Sequence, residues 1–271
     1  MWALRGLRNG VVTTRWPARL DPYASAVRGP ATVLAQPEDT DDQIERLCPT
    51  GAISSADGRV YLDRGRCVQC GRCVDAQPDV FGWSDGPSAA ALSRGALVDP
   101  EFEETPERLD ALRNSLKTRT AALRRSVHLR HVDAGSDGTE EWEILALFNP
   151  VYDVHRLGIF LTASPRHADI LLVTGAGARG MADPLGQTYE AMPEPKVVIA
   201  VGTDAVSGGL VTPSYGVTGG IGDIVPVDVW VPGSPPTPFS ILHALLLALG
   251  RLPARAGRKA GPAVAGEGAR P

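Results

Sequence analysis

The sequence is short of most features that would assign it at once to a simple class. Its longest apolar run, Ile241 to Leu249, is interrupted by His243 and falls well below the ~20 residues that cross a bilayer. No membrane span is expected. No continuous apolar segment with a small-residue cleavage site opens the sequence, which argues against secretion. The glycines at 216, 219, 220 and 222 are followed by no Gly-Lys-Ser/Thr and open no helix in a Gly-x-Gly-x-x-Gly pattern, so that loop lacks a nucleotide signature. No serine sits in Gly-x-Ser-x-Gly, and hydrolysis has no candidate nucleophile. Lysine is almost missing, since arginine supplies 24 of the 27 basic residues. With a net charge of -4, nothing marks the chain as a nucleic-acid binder. Basic charge is nonetheless local. Arg5, Arg8, Arg15 and Arg19 precede the first acid, Asp21, and Arg255, Arg258, Lys259 and Arg270 fill the other end, as contacts to partner subunits or to an anionic membrane surface would require.

Cysteine is scarce but concentrated. All four fall between positions 48 and 73: Cys48, followed by Pro49, then Cys67, Cys70 and Cys73 in a Cys-x-x-Cys-x-x-Cys triplet. Disulfides are not expected in a chain without a secretory leader, so the cluster points to metal or iron–sulfur binding. Four thiolates also suit tetrahedral zinc. Zinc sites usually present two separated Cys-x-x-Cys pairs, whereas a consecutive triplet with a distant Cys-Pro fits one 4Fe-4S cubane. In two-cluster ferredoxins the cysteine before proline crosses to the other cluster, so Cys48, Cys67, Cys70 and Cys73 form the complete ligand set of one cluster. The other set is lost: Glu38, Asp41 and Ile44 stand at its triplet positions and Gln77, before Pro78, at its fourth.

The second half reads as parallel α/β. Ala168 to Gly175 and Lys196 to Gly202 are short apolar runs of the kind buried on both faces of a sheet, and the helical pattern from Met181 to Met192 between them ends at Pro193 and Pro195. A strand–helix–strand crossover places binding chemistry beyond the carboxyl ends of the strands, at Thr174-Gly175 and Gly202-Thr203-Asp204. Ile224 to Val231 reads as another buried strand and Pro238 to Leu252 as a final helix.

Ser164-Pro-Arg-His-Ala-Asp169, Leu172-Val-Thr-Gly175, Pro184-Leu185 with Thr188-Tyr-Glu190, Pro193-Glu-Pro-Lys196, Gly208-Gly209 and Val231-Pro-Gly-Ser-Pro-Pro236 resemble the small subunit of membrane-bound, energy-converting nickel–iron hydrogenases, whose fold also serves as the B subunit of respiratory complex I. The resemblance covers about His128 to Leu252 and implies a flavodoxin-like domain. In that family the domain holds a terminal 4Fe-4S cluster on four cysteines. None is present here, and Asp137, Glu140, Asp204 and Ser234 occupy the vacated cluster positions. Three carboxylates so gathered need water access, an arginine partner (Arg179 or Arg166 by position) or a hard cation. Asn149 to Asp153 and Arg156 to Ile159 match the family's helix leading into a strand, and His128-x-x-His131 reads as structural. The opening, Val12-Thr-Thr-Arg-Trp-Pro17, resembles the start of the two-cluster ferredoxin subunits of the same complexes.

The expected organisation is an N-terminal arm at 1–35, a ferredoxin-like α+β domain with the 4Fe-4S site at 36–100, and a linker helix at 101–127 that starts at Thr105-Pro106 and turns a solvated arginine face outward. The flavodoxin-like parallel-sheet domain follows at 128–252 and a disordered tail at 253–271. The resemblance implies a peripheral subunit on the cytoplasmic face of the membrane. It would hold one 4Fe-4S cluster, for electron transfer or structure, beside a hydrogenase-large-subunit-like protein and antiporter-like membrane subunits. The alternative is a soluble one-cluster ferredoxin fused to an α/β domain with a ligand or metal site of its own.

Overall fold

A computed structural model describes residues 2–18, 28–37, 42–87, 89–100, 106–121 and 126–252. Helix α1 (Trp2–Asn9) leads into an extended segment. Strand β1 (Arg28–Val33), helix α2 (Asp42–Arg46), strands β2 (Ile53–Ala56) and β3 (Arg59–Asp63), helix α3 (Arg72–Ala76) and strands β4 (Phe81–Asp85) and β5 (Val98–Asp99) form the cysteine-bearing half. Helix α4 (Pro106–Thr120) then leads to β6 (Val127–Asp133), α5 (Thr139–Ala146), β7 (Ile159–Leu161), β8 (Ile170–Thr174), α6 (Ala182–Ala191), β9 (Val197–Val201), α7 (Thr203–Ser207), β10 (Val229–Val231) and α8 (Pro238–Ala248). Glu38, Asp41, Thr105 and the tail from 253 lie outside the described residues.

The main sheet has five strands in the order β10-β9-β8-β6-β7, and every neighbouring pair is parallel. Read from β7, that is the flavodoxin-like order, which reverses direction between β6 and β8. The strands are short apolar runs because both faces are covered. On β8, Ile170 and Leu172 enter the core beneath α8, while Leu171 and Val173 face the core beneath α6 and α7. All eleven residues of α8 are buried, which explains an apolar run without a polar face. Thr237 caps its start by accepting a bond from the Ser240 N–H.

In the cysteine-bearing half, β1 pairs antiparallel with β4, and β2, β3 and β5 form a second antiparallel sheet. Thus β1, in the stretch expected as an arm, belongs to this unit's own pairing. Further upstream, Trp16 is buried against Phe239 with ring centroids 6.1 Å apart, and the Thr14 N–H donates to the Val151 carbonyl at 2.8 Å.

Three readings differ from the structure. Strand β10 spans Val229–Val231 only, since Pro226 has no N–H to offer a ladder and the Asp228 carboxylate accepts from the Val198 N–H at 2.9 Å, ending the pairing there. The helix of the linker does not turn a wholly solvated arginine face outward: Arg119 grips Asp228 at 2.6 Å and also donates to the Lys196 carbonyl, pinning α4 to the sheet. The helix expected before β7 is a short 3-10 turn, Val154–Leu157, bounded by Asp153 and Gly158, both in the left-handed region.

Candidate functional site

Two groups of side chains lie on either side of the seam between the halves, which Thr203 joins to the Cys67 carbonyl. The first is the thiol group. Gln69 at φ 55 and Gly71 at φ 81 bend the Cys67 to Cys73 loop back on itself before α3 begins. Cys67 and Cys73 are buried, Cys48 is half-buried and Cys70 is exposed. The Ala52 N–H donates to Cys48 Sγ at 3.2 Å and the Gln69 N–H to Cys67 Sγ at 3.4 Å, the latter a contact that favours the Cys67 thiolate. Burial nevertheless pushes the Cys67 thiol up to about 12, with Cys48, Cys73 and Cys70 adding to the rise, so the four sulfurs lie within electrostatic reach of one another. Burial raises Cys73 as well. Among the described residues no three Cys, His, Asp or Glu side chains are drawn together tightly enough to cage an ion. The donor set still fits a thiolate-held cluster in kind: four sulfurs, N–H donors aimed at two of them, and an apolar wall from Ala31, Val60 and Phe81. Ile44, expected at a triplet position of a second set, is itself packed into that wall, and Gln77 is exposed with its N–H bonded to the Cys73 carbonyl.

The second group lies at the carboxyl ends of the parallel strands, where a flavodoxin-like sheet reverses its strand order. Asp137 and Glu140 follow β6, and Asp204 follows β9 in the first turn of α7. Glu140 is only 1% exposed. Burial pushes its carboxyl up to about 7, and the charges of Asp204 and Asp137 add to the effect. Asp204 is also raised, first by burial and then by Asp137. Asp137 is lowered instead, because the Thr139 hydroxyl and N–H both donate to its Oδ1, at 2.6 and 3.0 Å. Two glycines make room for the other two carboxyls. A Cβ on Gly202 would come within 2.6 Å of Glu140 Oε1, and one on Gly209 within 1.9 Å of Asp204 Oδ1.

Glu140 and Asp204 thus lie within electrostatic reach of each other and of Asp137, while Ser234 is exposed and reaches the region through its backbone neighbour: the Thr203 N–H donates to the Gly233 carbonyl at 2.7 Å. Neither arginine proposed as a partner serves. Arg166 sits in the turn before β8, at the opposite end of the strand, and Arg179 donates its Nε–H to the Tyr215 carbonyl at 2.8 Å. Among the described residues no ion pair reaches Asp137, Glu140 or Asp204. A cleft of about 440 Å³ between Pro49–Gly51 and Gly209–Pro213, with Arg66 on its wall, runs alongside Gly209.

Beside the carboxylates lies a network that sequence reasoning missed. His131 Nε2 is 3.0 Å from Thr174 Oγ1 and 3.4 Å from Glu141 Oε1, Thr174 donates to the same Glu141 oxygen, and Ser136 donates to the other at 2.7 Å. Burial lowers His131 despite the opposing pull of Glu141 and Asp133. The only hint was the adjacency of Glu141 to Glu140. His128, three residues along a strand, falls on the other face, where it stacks near Phe160, so the two histidines form no metal pair.

The loop after β8 has the spacing Gly175-x-Gly177-x-x-Gly180 between a strand and a helix, a dinucleotide fingerprint on paper. Its glycines are used internally. A Cβ on Gly175 would strike the Gly135 backbone at 2.5 Å and one on Gly177 the Gly220 carbonyl at 2.5 Å. The N–H groups of Ala176, Ala178 and Arg179 are already bonded to Gly135, Ala134 and Gly216 carbonyls, leaving no cradle for phosphate there.

The halves meet through one side-chain and two main-chain hydrogen bonds of note. Thr203 Oγ1 donates to the Cys67 carbonyl at 3.0 Å and accepts from the Gly233 N–H at 3.2 Å, joining the thiol loop to the residue beside Asp204. Ala91 and Trp230 exchange two backbone bonds at 2.9 and 2.8 Å.

A family model described as NADH ubiquinone oxidoreductase, 20 Kd subunit, matches residues 138–248. The chain is 45% identical over 130 residues to formate hydrogenlyase subunit 7 of Escherichia coli, a match that covers 48% of this chain and 51% of that protein. The chain thus spans about half the length of that relative. It is 44% identical over 128 residues to the probable membrane-bound hydrogenase subunit mbhJ of Pyrococcus furiosus, covering 47% of this chain and 77% of that protein. Among solved structures, a chain of the membrane-bound sulfane sulfur reductase, an archaeal respiratory membrane complex, matches 48% of this chain and 73% of its own length at 28% identity, with a TM-score of 0.43.

Proposed function

Because the chain belongs to the family of the NADH ubiquinone oxidoreductase 20 Kd subunit and its membrane-bound hydrogenase relatives, we propose that it is an iron–sulfur subunit in the peripheral arm of a membrane-bound complex of that kind. Cys48, Cys67, Cys70 and Cys73 would hold one 4Fe-4S cluster. Asp137, Glu140, Asp204 and Ser234 would leave the family's terminal cluster position without a thiolate, and oxygen side chains do not suit an iron–sulfur cubane. When bound, a 4Fe-4S cluster supplies a one-electron site. The chain's own residues do the rest: Cys67 and Cys73 lie away from water, the Ala52 and Gln69 N–H groups donate to Cys48 and Cys67, and exposed Cys70 marks the side open to a donor, an acceptor or a partner subunit.

The observation that carries this reading is the partition of the ligand sets. The surviving cysteines are one complete crossed set within electrostatic reach of one another, while Ile44 of the other set is packed as an ordinary core residue. The partners would be a hydrogenase-large-subunit-like protein and antiporter-like membrane subunits, with this chain peripheral on the cytoplasmic side. Among the described residues no helix is long and apolar enough to cross a membrane. Anaerobic reconstitution of the purified chain should give about four irons, and Cys73→Ser should abolish that uptake. About eight irons, or one tightly held zinc without iron, would refute it.

A further inference from the structure

The first helix and the residues after it present apolar side chains that nothing among the described residues covers. Leu4 is 69% exposed, Leu7 81%, Val11 80% and Val12 57%, although buried Thr14 and Trp16 immediately afterwards are fixed to the body of the protein. Leu4 and Leu7 lie one turn apart on one face of α1. Arg5 and Arg8 stand beside that face, and Arg15 follows; all three are exposed, and no acid occurs among residues 4–18. In a chain of net charge -4 this is a local reversal of sign next to an apolar strip.

We propose that residues 4–15 lie on an anionic lipid surface, with Leu4, Leu7, Val11 and Val12 entering the acyl boundary and Arg5, Arg8 and Arg15 resting among the headgroup phosphates. The charge points to the occupant: four exposed apolar side chains flanked by three arginines, with no acid over residues 4–18, match an acyl boundary beneath anionic headgroups. A short amphipathic segment of this composition gives weak, reversible attachment in the plane of the interface. Thr13 and Thr14 hold the segment to the Pro150 and Val151 carbonyls, each at 2.8 Å, so the attachment would be transmitted to the main sheet rather than lost in a free arm. The contact depends on neither the cluster nor the assembly proposed above.

The test is sedimentation of the full chain with phosphatidylcholine vesicles, with and without phosphatidylglycerol. The protein should pellet with the anionic vesicles and not the neutral ones, each of Arg5→Gln and Arg8→Gln should weaken binding about fivefold, and Leu4→Asp/Leu7→Asp should weaken it by more than about tenfold. These side chains are exposed, so unchanged circular dichroism and melting will show that the fold is intact. No pelleting with anionic vesicles, equal pelleting with neutral ones, or binding indifferent to the leucine variant would overturn the proposal. A dimer abolished by Leu4→Asp/Leu7→Asp in the absence of vesicle binding would assign the face to a second copy instead.

Discussion

Replacing Glu140 by Gln should make the protein more stable at pH 8 and leave it nearly unchanged at pH 4.5. The carboxyl of Glu140 rises from 4.5 to about 7 on folding because it is buried and because Asp204 and Asp137 face it. A glutamate whose folded value is raised binds its proton more tightly in the native state than in the unfolded chain. Its stabilising effect is therefore complete below pH 4.5 and is lost as pH climbs through 7. At about 1.4 kcal/mol per pH unit, the loss approaches ~3 kcal/mol. Glutamine cannot ionise and so does not suffer it. It keeps the shape of the carboxyl against Gly202 and still accepts from the Thr139 hydroxyl. The assay is the difference in melting temperature between variant and parent, measured from pH 4.5 to 8. It should widen by several degrees, with most of the change between pH 5 and 7. A difference that stays flat across that window, or one that grows as pH falls, would show that Glu140 is ionised and paired in the native state, and the unpaired pocket would be wrong.

Asp204→Asn should act in the same direction by removing a raised carboxyl, and it should also shift the Glu140 transition to lower pH by removing one of the charges that lift it; a destabilised Asp204→Asn at pH 8 would instead indicate a bound cation or an arginine partner. Thr203→Val keeps the volume but leaves the Cys67 carbonyl and the Gly233 N–H without their shared hydroxyl, which should cost about 1–3 kcal/mol in urea or thermal melts; a silent substitution would mean that the seam is not held there.

The centre of the fold was legible because it rests on burial alone. The runs that became β8 and β9 are apolar throughout, since both sheet faces are covered, and no later contact could reassign them. Elements decided by single polar contacts were not. Nothing in the residues around Asp228 announces that its side chain caps β9 and takes Arg119 from a helix far away in sequence, and so β10 was read too long and α4 too exposed. At the site, resemblance pointed to Asp137, Glu140 and Asp204, and the strands that carry them set Glu140 and Asp204 within electrostatic reach of each other and of Asp137. It failed for Arg166, where closeness in sequence to β8 concealed that the residue stands at the strand's other end. His131, read as structural, bonds within the fold to Thr174 beside Glu141, while the alternation of a strand places His128 on the other face.

The hydroxyl of Thr203 bears on how such a chain can be rearranged. One side chain from the sheet serves a carbonyl of the thiol loop, and two backbone bonds between Ala91 and Trp230 close the same boundary a short way off. A different cysteine-bearing unit grafted in front of residue 100 would have to bring a carbonyl to Thr203 and a strand-like edge to Trp230, or leave both unserved. The two halves are thus poor interchangeable cassettes, however readily each can be recognised alone. Chimeras should retain solubility only when the crossover point leaves Cys67, Ala91, Thr203 and Trp230 from the same parent.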